Sequence, residues 1–278
     1  MIPNEKGAAP PAPPLEPGVP PLAILVDYDG TVALTDVSDT VMAEHVPGEW
    51  EELARLYDEG RMGSRRLMEL EMALVRADPA ELLATAADQP HDPGFAPFVR
   101  RARAAGIPVE VVSDGFGFFI APALERLSVP EVPVITAVTT FRGGRARIEF
   151  PNGHPACFVC GTCKRQRVLA HHAAGRAVVF IGDGESDRYA AGYSDVIFAK
   201  RALVPICVAN GWPFHRFTEF AEVEQWQQPW GAPGAGLEDG GVLVMPAALT
   251  SLIRTDTLHE WLRKLLDAAG VENQQLAR

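Results

Sequence analysis

Leu22-Ala-Ile-Leu-Val-Asp27-Tyr-Asp29-Gly30-Thr31 sets two carboxylates directly after five apolar residues. The apolar part has the length and continuity of a strand buried on both faces of a parallel sheet. Such a strand has no structural use for two acids at its carboxyl end, because an uncompensated buried carboxylate is costly or takes up a proton. A divalent cation supplies the compensation. Alternation points residues i and i+2 the same way, so Asp27 and Asp29 serve one site if the strand geometry persists, and Gly30 lets the chain turn out of the sheet. The carboxyl edge of an open α/β sheet is where ligands sit.

The rest of the chain continues that pattern. A helical stretch follows, over residues 38–45, 49–59, 63–76 and 79–87, with Leu53, Leu56, Leu67 and Leu70 at helical spacing, and Pro90, Pro93 and Gly94 end it. Helices over 95–105, 116–127, 164–173 and 186–191 then alternate with strands over 108–113, 177–181 and 195–198. Residues 134–141 and 145–150 flank Arg142-Gly143-Gly144, a β-hairpin signal. Strands alternating with helices predict a doubly wound parallel sheet. The expected division is a Pro-rich tail over 1–20, a core over 21–34 and 91–225, a small helical cap over 35–90, and a linker and helical tail over 226–278, with its helix near Leu258 to Leu266.

Size and charge narrow the functions. The 278 residues suffice for one α/β core and a small accessory unit, and 47% hydrophobic with 22% charged residues is ordinary for a globular protein. A formal net charge of −11 argues against a nucleic-acid partner, which needs a basic surface. No segment reads as a signal peptide or a membrane span, so the expected setting is cytoplasmic and membrane-free. Three of the four cysteines crowd together at Cys157, Cys160 and Cys163, which is not a spaced disulfide framework.

Four short elements fall at or just beyond expected strand ends: Asp27-Tyr-Asp29-Gly30-Thr31, Ser113-Asp114-Gly115, Lys164 after Cys160-Gly-Thr-Cys163, and Gly182-Asp183-Gly184-Glu185-Ser186-Asp187. Together they supply what phosphoryl transfer needs: a nucleophile held in line, a cation for the nonbridging oxygens, and donors around the transferring group. Asp27 is the expected nucleophile and Asp29 the acid and base for the leaving oxygen and the attacking water. Ser113 and nearby backbone N–H groups are expected to cradle phosphate oxygens, Asp114 and Gly115 complete the expected substrate-binding turn, and Lys164 balances the charge of Asp27 and the phosphate. The expected Mg²⁺ ligands are Asp27, Asp29, Asp183 and Asp187, with Asp187 acting through water or orienting Lys164.

The four elements resemble the signature of the haloacid dehalogenase-like hydrolases, over residues 22 to about 220, and the insertion after the first element resembles the cap of the phosphoserine phosphatase branch. Ser113-Asp-Gly-Phe-Gly-Phe-Phe119-Ile, the cysteine-rich approach to Lys164, and Asp195-Val-Ile-Phe-Ala-Lys200 are similar to the methionine-salvage phosphatases of that family. The resemblance implies a Rossmann-like core, Mg²⁺, an aspartyl-phosphate intermediate on Asp27, and a small phosphorylated metabolite as partner, in a monomer or homodimer. Asp114 departs from the glycine common in relatives: either its side chain turns away or it favours a substrate with a hydroxyl or amine to donate.

Cap residues choose the leaving group, and Arg61 is the expected substrate-facing residue, with Asp36, Asp39 and Trp50 as further candidates. Phe116, Phe118 and Phe119 read as helix packing. His154-Pro-Ala-Cys157-Phe-Val-Cys160-Gly-Thr-Cys163 carries the ligand types of a structural Zn²⁺ site, or cysteines kept without metal. The leading expectation is a Mg²⁺-dependent phosphomonoesterase. Its rivals are a phosphomutase with the same nucleophile and a non-catalytic interaction protein on a phosphatase fold.

Overall fold

A computed structural model describes residues 21–226. The Pro-rich head, the linker and the helix expected near residue 258 lie outside the described residues. Strand β1 (Leu22–Val26) is buried throughout, and its alternate residues join different cores. Ile24 and Val26 pack on one side of the sheet, Leu25 on the other, so both faces are covered as a parallel sheet requires.

Five further strands complete the sheet: β2 (Val109–Val112), β3 (Val134–Ile135), β6 (Ala177–Gly182), β7 (Val196–Ala199) and β8 (His215–Arg216). Their order is β3-β2-β1-β6-β7-β8, every neighbouring pair parallel. Chain order runs outward in one direction from β1 and in the other from β6. The crevice beyond the carboxyl ends of these two strands is therefore the topological switch point, where open α/β sheets bind ligands.

Between β1 and β2 run α1 (Val37–His45), α2 (Glu49–Asp58), α3 (Ser64–Leu74), α4 (Pro79–Ala87) and α5 (Phe95–Ala104). Helix α4 starts with a full capping box: Asp78 accepts from Ala80 N, Glu81 accepts from Asp78 N, and Pro79 occupies the first turn. The entry and exit of the four-helix insertion are tied together, Leu34 N donating to Pro90 O at 2.8 Å and Asp92 N to Val32 O at 2.9 Å. After β2 come α6 (Ile120–Arg126), then α7 (Lys164–Ala173), α8 (Arg188–Ala191), α9 (Leu203–Asn210) and α10 (Phe220–Trp226). Among the described residues, no helix is long and apolar enough to cross a membrane.

Two expectations are redrawn. Residues 134–141 divide between two sheets: β3 joins the main sheet, while β4 (Val138–Arg142) pairs antiparallel with β5 (Arg145–Glu149). The hairpin turn has Gly143 at φ 56° and Gly144 at φ 70°, the type I′ conformation that glycine permits. The helix expected from Phe116 begins only at Ile120, because the chain turns at Gly117 (φ 82°), where a side chain would strike the carbonyl of Ala137. Phe116 and Phe119 are buried in the core and Phe118 packs edge-on against Phe119 and Phe141, in keeping with the packing role. Elements α9, β8 and α10 have no marker in the sequence. Phe220 of α10 packs edge-on against Phe95 and at a tilt against Phe98 of α5, a long-range contact that closes the core.

Candidate active site

Asp27 leaves β1 in extended conformation (φ −69°, ψ 157°), so its carboxylate keeps the side of Leu25, the side on which α7 packs. Tyr28 turns the other way into the core, fully buried, with its hydroxyl 2.8 Å from His91 Nε2. The strand then breaks. Gly30 takes φ 71°, and a side chain there would collide with the Asp183 carboxylate and Arg201. The carboxylate of Asp29 is thereby turned to the start of α1, where its Oδ1 accepts from Val37 N at 2.9 Å.

Lys164 opens α7 and reaches under the crevice, 3% exposed. Its Nζ donates to Asp27 Oδ1 at 2.5 Å, to Asp187 Oδ1 at 2.7 Å and to Ser186 Oγ at 3.0 Å. Burial works against the Lys164 charge, but the carboxylates of Asp187 and Asp27 outweigh it and leave the ammonium pKa raised. Asp187 is fully buried, and its Oδ2 accepts from Asp183 N at 2.9 Å and Gly184 N at 3.0 Å. This carboxylate shapes the turn after β6 and orients Lys164 at once.

Three acids compete for the little positive charge available. Burial and the Asp187 charge hold the Asp27 pKa well above the ordinary carboxylate value, against the pull of Lys164. Burial and Asp187 likewise lift Asp183 to about 6, opposed by Arg201 and Lys164. One ligand atom from each of Asp27, Asp183 and Asp187 lies within 4.8 Å of the others, and this is the cluster of metal-ligating side chains found among the described residues. Three carboxylate oxygens gathered this closely fit a hard divalent cation such as Mg²⁺.

Two sets of expected metal ligands are not brought together. The Asp29 side chain is not part of the cluster, because the backbone break at Gly30 points it at the N-terminus of α1 instead. Nor do His154, Cys157, Cys160 and Cys163 converge to metal-binding distance. Cys163 is buried at the cap of α7, Cys157 and Cys160 stay half-buried as free thiols in the loop, and His154 Nδ1 accepts from Ala156 N at 3.1 Å. The zinc expectation is withdrawn on that geometry.

Asp29 and the 113–115 turn meet at one point. Burial, then the charge of Asp36, raises the Asp29 pKa well above the ordinary value, against the hydrogen bond from Val37. A Cβ on Gly115 would lie 2.6 Å from Asp29 Oδ2, 2.9 Å from Ser38 Oγ and 3.2 Å from Ser113 Oγ, so this glycine keeps open the space between acid and serine. Ser113 sits fully buried behind it, its Oγ accepting from Gly115 N at 3.1 Å. Asp114 borders the crevice with both carboxylate oxygens engaged by the cap and the loop: its Oδ2 accepts from Ser64 Oγ at 2.5 Å and its Oδ1 from Thr162 N at 2.7 Å.

These residues border a cavity of about 360 Å³ between the sheet edge and the cap helices, lined by Asp27, Asp29, Asp114, Gly115 and Asp183 on the core side. Asp36 and Asp39 line it, but Trp50 packs against the core and Arg61 faces an adjoining cleft. Arg61 is exposed and pairs with Glu59 at 3.4 Å. Sequence reasoning does not find Arg201, Ser64, Tyr57, Asp58 or Glu71, all of which also border the cavity. Arg201 donates to Asp183 Oδ2 at 3.3 Å and to Leu34 O at 2.6 Å. No local pattern marks these five: packing of the cap on the core brings Tyr57, Asp58, Ser64 and Glu71 to the site, and the turn after β7 brings Arg201.

Comparison with known proteins bears on the family and the fold. The sequence profile described as haloacid dehalogenase-like hydrolase matches residues 24–192. The 2-hydroxy-3-keto-5-methylthiopentenyl-1-phosphate phosphatase of Brevibacillus brevis is 28% identical over 211 residues, 73% of this chain and 93% of that protein. Its counterpart in Bacillus velezensis is 29% identical over 205 residues, 72% and 87% of the two chains. A solved phospho-aspartyl intermediate analogue of phosphoserine phosphatase superposes with a TM-score of 0.58 at 17% identity, over 74% of this chain and 99% of that one, a likeness of fold. The profile spans more than half of the sequence, and the chain belongs to the haloacid dehalogenase-like hydrolase family.

Proposed function

We propose that this protein is a Mg²⁺-dependent phosphomonoesterase acting on a small phosphorylated metabolite through an aspartyl phosphate on Asp27. The observation that carries the reading is the convergence of Asp27, Asp183, Asp187 and Lys164 at the switch point between β1 and β6. Family membership and the named relatives support it.

The residues divide the work. Asp27 Oδ attacks phosphorus, and the bond from phosphorus to the leaving oxygen breaks as Asp29 gives that oxygen its proton. A raised Asp29 pKa keeps the proton in place before the step. The Asp29 carboxylate then takes a proton from water, whose oxygen attacks phosphorus and frees Asp27 with release of inorganic phosphate. Lys164 neutralises Asp27 as the dianionic phosphate approaches, while Asp187 fixes the lysine. Ser113 and the backbone N–H groups of the 113–115 turn hold phosphate oxygens. A cation held by Asp27, Asp183 and Asp187 supplies the charge neutralisation that lets a carboxylate meet a phosphate. Asp114 belongs to the cap contact, not to the phosphate cradle.

The test is hydrolysis of p-nitrophenyl phosphate with and without Mg²⁺. Release of inorganic phosphate that requires Mg²⁺ and disappears in Asp27→Asn supports the reading; turnover that survives in Asp27→Asn overturns it. Transfer of phosphate without release favours a phosphomutase instead. Similarity to the methionine-salvage phosphatases makes their substrate the first metabolite to assay.

A further inference from the structure

The cap side of the cavity is more acidic than phosphate chemistry requires. Asp27, Asp29 and Asp183 have assigned work on the core side. Facing them from the insertion are Asp36 at the start of α1, Asp39 within α1, Asp58 at the end of α2 and Glu71 on α3. Arg201 is the one basic residue on the cavity lining among the described residues, and its guanidinium is already engaged with Asp183 and Leu34. These acids contribute nothing to holding a phosphate, and any of them that ionises repels it unless another part of the ligand compensates the charge.

Glu71 sharpens the point. It is 3% exposed, it borders the cavity, and it has no hydrogen-bond or ion-pair partner among the described residues. Its nearest charged influences are Asp39 and Asp36, both of its own sign; with burial they push its pKa up to about 8, and burial with Asp36 and Asp58 lifts Asp39 to about 7. A carboxyl group withdrawn from water among like charges is costly to ionise, and an opposite charge delivered by the ligand removes that cost. A second metal ion does not fit the pattern. Outside Asp27, Asp183 and Asp187, no three ligand atoms of this wall come within 4.8 Å of one another, so the group it suits is larger than a bare cation. Leu67 and Met68, on the same helix as Glu71, give the wall an apolar strip for methylene groups.

We infer that the cap wall is a subsite for an ammonium group on the leaving side of the phosphoester, with Glu71 as its principal partner and Asp39 and Asp58 beside it; the inference rests on the phosphomonoesterase reading above. The predicted substrate class is an amino-alkyl phosphate. The leaving group named for the Brevibacillus brevis relative carries a hydroxyl, a ketone and a methylthio group, so selectivity for an ammonium would separate this chain from that protein.

The experiment uses phosphonates, whose carbon–phosphorus bond resists hydrolysis, so that binding is read apart from turnover. Titration calorimetry of the full chain with Mg²⁺ compares 3-aminopropylphosphonate with butylphosphonate, which replaces the ammonium by a methyl group, and with 3-hydroxypropylphosphonate, which keeps a hydrogen-bond donor without charge. The amino compound is expected to bind at least tenfold more tightly than either, and Glu71→Gln to reduce that ratio below threefold. Asp58→Asn, at the end of α2, checks the same ratio in a second variant and is expected to lower it less. Equal affinities, tighter binding of the butyl or hydroxyl compound, or no binding of any of them overturns the inference. Loss of p-nitrophenyl phosphate hydrolysis is a separate result and bears on the phosphomonoesterase reading alone.

Discussion

Asp114 Oδ2 accepts a hydrogen bond from Ser64 Oγ at 2.5 Å, joining the turn after β2 to the first residue of cap helix α3. The other oxygen of the same carboxylate takes Thr162 N at 2.7 Å, two residues before Lys164. One side chain thus links the phosphate turn, the loop that delivers the lysine, and the cap. Burial raises the Asp114 pKa and the two donors oppose it, so the carboxylate depends on both of them.

Removing the Ser64 hydroxyl leaves a buried acceptor short of one donor. Ser64→Ala is expected to lower stability by about 1–3 kcal/mol, read as a shift in the urea unfolding midpoint at constant m. It should also raise KM more than it lowers kcat, since the cap is held less firmly while the residues below it are untouched. A variant with wild-type stability and KM would show that this contact does not hold the cap.

Gly115 tests the reaction geometry. A methyl group there meets Asp29 Oδ2 at 2.6 Å, while the backbone of Gly115 lies outside the left-handed region and accommodates alanine. Gly115→Ala should therefore fold and still bind Mg²⁺. Its kcat should fall about 100-fold, the loss expected when an acid is displaced by an ångström or so. An unchanged kcat would remove Asp29 from the role of proton donor.

Glu71 makes stability depend on pH in a defined direction. Its folded pKa of about 8 stands above its ordinary value of 4.5, so between those values the native state holds a proton that the unfolded chain has released. Stability from this group therefore declines as pH rises from 4.5 to 8. In metal-free buffer, Glu71→Gln should flatten that decline and be more stable than wild type by about 2–4 kcal/mol at pH 9. Parallel stability curves for the two proteins across this window would contradict the assignment.

Much of the fold is legible because its signals are local. The five buried residues of β1, the helix α4 over residues 79–87 and the Gly143-Gly144 hairpin each follow from short-range sequence, and each appears with the expected character. The strand β3 escapes because two residues cannot display alternation, and its membership is decided by pairing with β2. At the site, Asp27, Asp183, Asp187 and Lys164 are visible as chemistry stationed at strand ends. The direction of the Asp29 and Asp114 side chains is not, since it depends on a backbone break at Gly30 and on Ser64, which lies 50 positions away. Glu71 looks like any other acid of an amphipathic helix until the helix packs over the crevice.

The central claim concerns Asp27, and it can be read chemically. Wild-type protein turning over a phosphomonoester with Mg²⁺ is quenched in acid and treated with borohydride, which reduces an acyl phosphate to an alcohol. Peptide mass spectrometry should then find residue 27 converted to homoserine, in turnover samples and not in samples without substrate. Active protein in which residue 27 stays unmodified, or in which the reduced residue is Asp29 or Asp183, would contradict the account.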